Sequence, residues 1–240
     1  MCFSIYNKIV KRGPKPKGNV KIRWSPHFAY AVGLLTADGC LSKDGRHIDL
    51  TSVDKAQLIL FKKCLGIKTK ISKKYSGIGN MAYCVQFSDV LFYRFLVGIG
   101  LSPAKSKTIM AVAVPDQYFA DFLRGYFDGD GCSYSFYDSV YKKSYRFYIS
   151  FTSASPKFID WLRDRLNKLV EVHGHIDQSK KPFYVQLKYA KKEAVQICKY
   201  MYYNDAVPRL VRKHLKIQRS MSIISGRRGG EIGKHASFRS

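Results

Sequence analysis

The sequence predicts an α+β fold made of two copies of one αββαββα unit, each contributing a four-stranded antiparallel sheet. The first observation is an apolar run with an internal glycine that ends in Asp-Gly twice, at Asp38 and at Asp130, 92 positions apart. Two further segments recur in the same order at nearly constant offset: 48–52 with 149–153, and 83–88 with 183–188. Three ordered matches indicate an internal duplication.

Each unit begins with a predicted helix. Ser25 is a favourable N-cap followed by Pro26 at the first helical position, and Asp116 can cap the equivalent helix of the second unit. Apolar residues cover most of the surface of 28–35, so we expect the first helix to be buried.

Both predicted helices contain an internal glycine, Gly33 in the first and Gly125 in the second. A glycine in a helix interior costs about 1 kcal/mol relative to alanine. Such a cost is tolerated where two backbones approach closely, so we expect both glycines at an interface between the two helices.

Strand patterns follow each helix. In the first unit an Asp-Gly turn at 44–45 precedes Ile48 and Leu50, which alternate with polar residues. The second unit repeats this alternation at 147–151. Helices are predicted at 55–65 and 156–169, and second hairpins at 69–87 and 176–188. Each sheet should therefore have one apolar face and one face of Lys, Arg, Gln, Ser and Tyr side chains.

The composition favours a nucleic-acid partner. The 240 residues include 42 Lys and Arg against 17 Asp and Glu, for a net charge of +25. This charge predicts strong, salt-sensitive attraction to nucleic acid, with an anionic membrane surface as the weaker alternative. A hydrophobic fraction of 46% predicts a packed globule. No apolar run approaches the ~20 residues that span a bilayer. We expect nucleic acid, and no membrane, as the partner.

Cysteine usage and the first residues bear on location. The six cysteines form no C-x-x-C pair, which argues against zinc or disulfides and favours reduced thiols. The first residues lack an apolar signal core. We expect an intracellular protein, in an organelle or in bacterial or phage-infected cytoplasm. The chain divides into a basic arm (1–24), a first repeat (25–101), a linker (102–114), a second repeat (115–225) and a flexible basic tail (226–240).

The two motifs, GLLTADG at 33–39 and GYFDGDG at 125–131, each precede a hairpin and a helix. In this arrangement the chain resembles the LAGLIDADG homing endonucleases in their monomeric two-motif form, over residues 25–225. The resemblance implies that the motif helices pack at a pseudo-twofold axis and that the two sheets form a DNA-binding saddle. It also implies that Asp38 and Asp130, with the backbone of Ala37 and Gly129, bind the metal at the scissile phosphates.

The resemblance assigns further site residues. Lys188, on the last strand of the second repeat, takes the place of a basic catalytic residue, whereas Ser88 stands at the equivalent place in the first. Asp128 matches an earlier acidic position that is more often structural, and Thr36 replaces it in the first motif. Further candidates for polar groups that support the catalytic pocket are Asp54, Ser155, Gln86 and Gln186. Asp54 and Ser155 fit the N-caps of the following helices equally well.

The residue types agree with this chemistry. Hydrolysis of a phosphodiester needs charge neutralisation and an activated water, and a divalent ion held by carboxylates supplies both. Two adjacent carboxylates repel each other unless a cation intervenes. We therefore expect Mg²⁺ as cofactor, with Mn²⁺ or Ca²⁺ able to replace it for binding. A nearby lysine can stabilise developing negative charge.

These inferences predict a site-specific, intron-encoded or free-standing DNA endonuclease. It would bind a long pseudo-palindromic duplex as a monomer, without an obligate protein partner. The resemblance implies that each strand is cut once across the central minor groove, leaving 3′ overhangs. Residues on the polar strand faces and turns would contact the DNA. They are Ser42, Lys43, Arg46, His47, Asp49, Thr51, Lys70, Ser72, Lys74, Ser133, Ser135, Tyr137, Arg146, Tyr148, Ser150, Gln178, Lys180 and Tyr184.

Two other functions remain open from the sequence. An RNA-binding maturase would use the same fold on its host intron RNA, and only a test against that RNA separates the two activities. A non-cleaving DNA-binding regulator is disfavoured because a pure binder gains nothing from paired acids on a phosphate-facing surface.

Overall fold

The computed structural model describes residues 18–75, 79–178 and 184–235. The first repeat consists of α1 (Pro26–Asp38), β1 (Gly39–Leu41), β2 (His47–Ser52), α2 (Lys55–Leu65), β3 (Ser72–Tyr75), β4 (Met81–Ser88) and α3 (Val90–Gly98). The second consists of α4 (Phe119–Asp130), β5 (Gly131–Tyr137), β6 (Tyr145–Ser153), α5 (Pro156–Val170), β7 (His175–Gln178), β8 (Val185–Ala190) and α6 (Lys191–Met201), and a long helix α7 (Val211–His235) follows. The predicted α+β class and the αββαββα order of each half are confirmed.

Each half contains one antiparallel four-stranded sheet, and the two sheets have the same topology. The strand orders are β1-β2-β4-β3 and β5-β6-β8-β7. Ile48 pairs with Phe87 in the first sheet, and Phe151 pairs with Leu187 in the second. These apolar side chains face the helices, which leaves the alternate, polar positions on the opposite face of each sheet.

The core is continuous across the two halves because α1 and α4 pack against each other. Every residue of α1 from Phe28 to Thr36 is buried. A Cβ added to Gly33 would lie 2.1 Å from the carbonyl oxygen of Phe122, and one added to Gly125 would lie 2.0 Å from that of Tyr30. The two helices therefore approach backbone to backbone, as expected of these glycines.

Two buried polar groups anchor α4. Arg124 is fully buried and donates to the carbonyl oxygens of Pro208 (2.6 Å) and Met201, while also pairing with Asp121. Asp128 is 1% exposed and accepts hydrogen bonds from the Tyr30 hydroxyl at 2.6 Å and the Leu210 amide at 2.8 Å. Asp128 therefore has a structural role in joining α1, α4 and the segment before α7.

The second motif helix begins later than predicted. Residues Asp116–Tyr118 wind as a 3-10 turn, so that α4 begins at Phe119 and Asp116 does not cap it. The Asp116 carboxylate instead pairs with Arg165 at 2.7 Å and Lys168 at 3.3 Å, both on α5.

The chain also differs from the prediction at its C-terminal end. Helix α7 continues through Gly226 to His235, where a flexible tail was predicted from 226. Ile217 and Ile224 are buried, and the Ser220 hydroxyl lies 3.2 Å from the hydroxyl of Tyr145 on β6. These contacts pack the first half of α7 against the second sheet, and the helix continues beyond Gly226 although glycine disfavours a helix interior. Among the described helices, none is long and apolar enough to cross a membrane.

Candidate functional site

Two aspartates meet at the midline of the molecule. Asp38 is the last residue of α1, and Asp130 is the last residue of α4. A Cβ added to Gly129 would lie 2.4 Å from the Ala37 Cβ and 2.9 Å from Oδ2 of Asp38. Because the helices pack so closely, their C-terminal ends bring the two carboxylates into one acidic centre.

The two carboxylates have different neighbours. Oδ2 of Asp38 accepts a hydrogen bond from Nε2 of Gln57 at 3.1 Å, and Oε1 of Gln57 accepts one from the Ser52 hydroxyl at 2.7 Å. Gln57 is 2% exposed, so this amide holds Asp38 in place. The position 101 residues after Gln57 is Phe158, which cannot hold Asp130 in the same way.

Asp130 faces a cavity of about 250 Å³. Polar groups of Lys105, Thr152 and Ser153 line this cavity together with the Phe158 ring. The described residues form no hydrogen bond to the Asp130 carboxylate. Asp130 is therefore the more accessible and less restrained member of the pair.

The environment raises the pKa of both aspartates. Although the residue is solvent-accessible, Asp130 lies in a cleft, and partial desolvation together with the charge of Asp38 raises its pKa to about 6. Desolvation also raises the pKa of Asp38, but the hydrogen bond from Gln57 and the charges of Lys213 and Lys105 oppose this shift. The cleft thus favours a cation that can neutralise both carboxylates.

The raised pKa of Asp130 predicts a pH-dependent stability. Since the folded-state pKa of about 6 exceeds the ordinary value of 3.8, the stabilisation from protonated Asp130 is complete below 3.8 and is lost as the pH rises through 6. We expect Asp130→Asn to be more stable than the wild type at pH 7.5 in metal-free buffer. This advantage should shrink towards pH 4.5, as measured by urea unfolding midpoints.

The control for this measurement is Asp164→Asn on α5, whose parent side chain is 75% exposed. A difference between Asp130→Asn and wild type that stayed constant over this pH range would contradict the proposed protonation of Asp130.

Two lysines that the sequence analysis missed lie at the helix ends. Nζ of Lys105 donates to the carbonyl oxygen of Gly39, just after α1. Nζ of Lys213 donates to the carbonyl oxygens of Phe127 and Gly131, each at 2.7 Å, and of Gly129 at 3.2 Å. Both ammonium groups therefore offset the partial negative charge of a helix C-terminus.

Burial lowers the pKa of both lysines, while neighbouring aspartates oppose that shift: Asp130 and Asp38 at Lys105, Asp128 and Asp38 at Lys213. Each lysine lies in the segment that follows its own repeat, Lys105 after α3 and Lys213 at the start of α7. Neither lysine lies at a short, fixed spacing from its motif, so the sequence pattern did not identify it as a site residue. The one available indication was that a basic residue follows each repeat.

Lys188, which was predicted as a basic catalytic residue, is paired with an acid on a neighbouring strand. Its Nζ bonds to Oδ2 of Asp177 on β7 at 2.6 Å, and this hydrogen bond raises the pKa of Lys188. The charges that act on the midline carboxylates are those of Lys105 and Lys213. Lys188 thus forms an ion pair on the sheet surface with a diagonal neighbour, since His175 is the residue directly opposite it, and its assignment as a catalytic residue stays a prediction.

The two residues predicted either as supporting groups of the pocket or as caps have structural partners. Oδ1 of Asp54 accepts from the Ala56 amide at 3.0 Å and so caps α2, and Oδ2 pairs with Arg212 at 2.7 Å. Ser155 is 2% exposed, and its hydroxyl donates to the Ile109 carbonyl oxygen. Thr152 and Ser153, rather than Ser155, line the Asp130 cavity.

The remaining candidates for supporting groups lie on the polar faces of the sheets. Ser88 pairs with His47, Gln86 with Asp49, and Gln186 with Thr152 across neighbouring strands. Gln186 therefore lies opposite a residue of the Asp130 cavity.

The polar face of the first sheet contains most of the residues predicted there. Thr51 and Ser72 both lie opposite Cys84, whose thiol contacts Asp49, and Lys74 pairs with Asp49 at 3.7 Å. Other predicted DNA contacts in this half lie in turns, on strand edges or in adjoining segments: Ser42, Lys43, Arg46, His47 and Lys70.

The prediction for β5 was wrong by one residue. Ser133 is 5% exposed, and the Ser135 hydroxyl accepts a hydrogen bond from Tyr145 at 2.8 Å, on the helix side of the sheet. Tyr137 shares this register, so the outward positions are Tyr134 and Phe136 instead. The pairing with β6 sets these faces, because Ser133 and Ser135 lie opposite Ile149 and Phe147, which are core residues.

The other residues of the second sheet that were predicted to contact DNA differ in exposure and in partners. Ser150 is only 3% exposed, and its hydroxyl donates to the Cys132 carbonyl oxygen at 3.5 Å, so it is not available for DNA. Arg146 pairs with Asp138, and Tyr148 and Tyr184 lie on the outward face. Gln178 ends β7, and Lys180 lies outside the described residues, as does most of the basic arm.

Comparison with known proteins agrees with this architecture. Residues 117–202 match the LAGLIDADG-like domain family. This match lies within the second repeat and includes the motif that ends at Asp130. No sequence among the curated proteins matches the chain.

Solved structures extend the LAGLIDADG fold to both halves. The I-LtrWI LAGLIDADG homing endonuclease bound to target DNA is 15% identical, with a TM-score of 0.57 over 85% of this chain and 91% of that chain. I-SmaMI bound to an uncleaved DNA target with calcium ions is 12% identical, with a TM-score of 0.60 over 87% and 93%. Full-length DUF199/WhiA from Thermatoga maritima is 16% identical, with a TM-score of 0.53 over 91% and 69%. The resemblance to the LAGLIDADG homing endonucleases is thereby confirmed at the level of fold.

The described protein groups at the acidic centre do not complete the coordination shell of a divalent ion by themselves. Within the described residues, no three His, Cys, Asp or Glu side chains form a group that could hold a metal. The protein donors are the carboxylates of Asp38 and Asp130 and nearby backbone carbonyls, one of which, that of Gly129, already accepts from Lys213. Such oxygen donors suit Mg²⁺ or Ca²⁺. Water and phosphate oxygens would have to complete the coordination shell.

Proposed function

We propose that this LAGLIDADG protein is a site-specific DNA endonuclease that acts as a monomer on a long, pseudo-palindromic duplex. The observation that carries the proposal is the meeting of Asp38 and Asp130 at the ends of paired helices, between two sheets of like topology. The net charge of +25 supplies the attraction to the phosphate backbone. I-LtrWI and I-SmaMI, which share this fold, were solved on target DNA.

In this proposal Asp38 and Asp130 hold the divalent ion, for which Mg²⁺ is the natural candidate. When bound, the ion neutralises phosphate charge and lowers the pKa of a coordinated water. The fold neighbours I-SmaMI and a variant of I-DmoI were solved with calcium and with manganese, respectively, which supports a divalent ion. Lys105 and Lys213 lie beside the carboxylates and can stabilise the negative charge that develops on the phosphate.

The two strands would be cut once each across the central minor groove, leaving 3′ overhangs. The carboxylates act from unequal surroundings, since Gln57 restrains Asp38 and an open cavity adjoins Asp130. We infer that the two strands are hydrolysed at different rates.

The direct test uses the full chain and a randomised duplex DNA library. We expect Mg²⁺ to produce double-strand breaks with 3′ overhangs at one family of sequences, and EDTA to abolish them. Sequencing of the cleaved ends identifies the site and the overhang. Cleavage at random positions, or equal cleavage with EDTA present, would contradict the proposal.

A non-cleaving DNA-binding protein on the same fold is the second candidate. The observation that favours it is Lys213, whose ammonium already bonds to the Gly129 carbonyl that the metal was expected to use. The library experiment separates the two functions. Specific retention of duplexes without any cleavage in Mg²⁺ would support the second candidate.

A further inference from the structure

The polar faces of the two sheets differ in their aromatic content. Among the described strand positions, only the second sheet has a row of aromatic side chains on this face. Tyr134 on β5 lies directly opposite Tyr148 on β6, with ring centroids 5.0 Å apart and planes 15° from parallel. Phe136 lies 6.1 Å from Tyr148, also at 15°, and is 48% exposed. We call these three residues the aromatic ladder.

The corresponding face of the first sheet has no Phe, Tyr or Trp among the strand positions that the structure describes. The side chains there are small or polar: Cys40, His47, Asp49, Thr51, Ser72, Lys74, Ala82, Cys84, Gln86 and Ser88. The two half-sites of a duplex would therefore meet surfaces of different chemistry.

The ring geometry indicates which nucleic acid the ladder fits. Two nearly parallel six-membered rings 5.0 Å apart cannot lie side by side in one plane, because their edge atoms would overlap. Tyr134 and Tyr148 are thus offset-stacked and cover part of each other's faces. Recognition of an unpaired base needs an open ring face on which the base can stack. A ladder whose rings stack on each other instead favours contact along the groove of a duplex.

In the major groove, the group that an apolar side chain can recognise is the 5-methyl group of thymine. We propose that the aromatic ladder selects thymine at the base pairs beneath it, so that the half-site of the second sheet is read through methyl groups. The first sheet, by contrast, reads its half-site through hydrogen bonds. This inference rests on the proposed function, because it requires a duplex target.

The test begins with selection of duplexes that the full chain retains from a random library in Ca²⁺. Thymine in the selected site is then replaced by deoxyuridine, which lacks the methyl group, one half-site at a time. Loss of one buried methyl corresponds to about a fourfold loss of affinity. We expect this loss in one half-site, and little change in the other.

The variants decide whether the ladder is responsible. Phe136→Ser should remove the sensitivity to deoxyuridine in that half-site, whereas Phe136→Leu, which remains apolar, should keep most of it. Tyr137→Ser is the matched control, because Tyr137 is adjacent and similarly exposed (52%) but lies on the opposite face. It should leave the sensitivity unchanged.

Each result that contradicts this inference leads to a different conclusion. No effect of deoxyuridine in either half, or a full effect that survives in Phe136→Ser, would overturn the methyl-group proposal while leaving a duplex-binding protein. Tighter binding of single-stranded DNA or RNA than of duplex, lost in Phe136→Ser, would show instead a platform for unpaired bases. If no duplex sequence is enriched at all, the proposed function itself fails, and this inference with it.

Discussion

Asp130→Asn should abolish double-strand cleavage while the protein still binds its site. The substitution keeps the size of the side chain but removes one of the two carboxylate charges that can hold a divalent ion at the midline. Loss of metal-supported stabilisation on the order of 4 kcal/mol corresponds to roughly a thousandfold slower reaction. Single-turnover cleavage of a plasmid that carries the selected site measures the effect.

Binding should respond differently from cleavage. In the proposed complex Asp130 would place negative charge beside the phosphates, so its neutralisation should leave the sheet contacts intact and remove a repulsion. We expect a dissociation constant within a few-fold of the wild-type value in Ca²⁺. Asp164→Asn, on the exposed face of α5, is the control and should cleave normally. Full residual cutting by Asp130→Asn would refute the assigned role.

Gly125→Ala should cause the largest loss of stability. The added Cβ would lie 2.0 Å from the Tyr30 carbonyl oxygen and 2.9 Å from its carbonyl carbon, so the clash is with backbone that no side-chain rotation can relieve. The helices α1 and α4 must separate, which opens the core along their whole contact. We expect a loss of about 3 kcal/mol in the free energy of unfolding, measured with urea.

Gly226→Ala is the matched control within another helix. A Cβ added at Gly226 meets nothing within 4 Å, so this substitution should stabilise α7 by up to about 1 kcal/mol. Gly125→Ala should also slow cleavage, because the separation of α1 and α4 displaces Asp130 from Asp38. Equal and small effects of the two substitutions would contradict the close approach of the helices.

Much of the fold could be predicted because its signals are local. The repeat of Asp-Gly after an apolar run, the alternation around Ile48 and Ile149, and the Ser25–Pro26 helix start each depend on neighbouring residues alone. Predictions from local sequence patterns were wrong where contacts with another element determined the structure. The one-residue error in β5 arose because pairing with β6 places Ser133 and Ser135 opposite the core-facing Ile149 and Phe147. Helix α7 continues past Gly226 although the glycines there disfavour a helix.

The amino-acid sequence by itself determined the duplicated αββαββα units, the two terminal aspartates and the basic character that suits a polyanion. The tertiary structure alone decided which cations accompany the aspartates, since Lys105 and Lys213 reach the helix ends from 66 and 82 positions beyond Gly39 and Gly131. It also decided that Gln57 restrains Asp38 and that Asp177 pairs with Lys188. The physical reason is that hydrogen bonds and ion pairs depend on distances in space. When the two partners lie on different elements, their separation along the chain does not specify that distance.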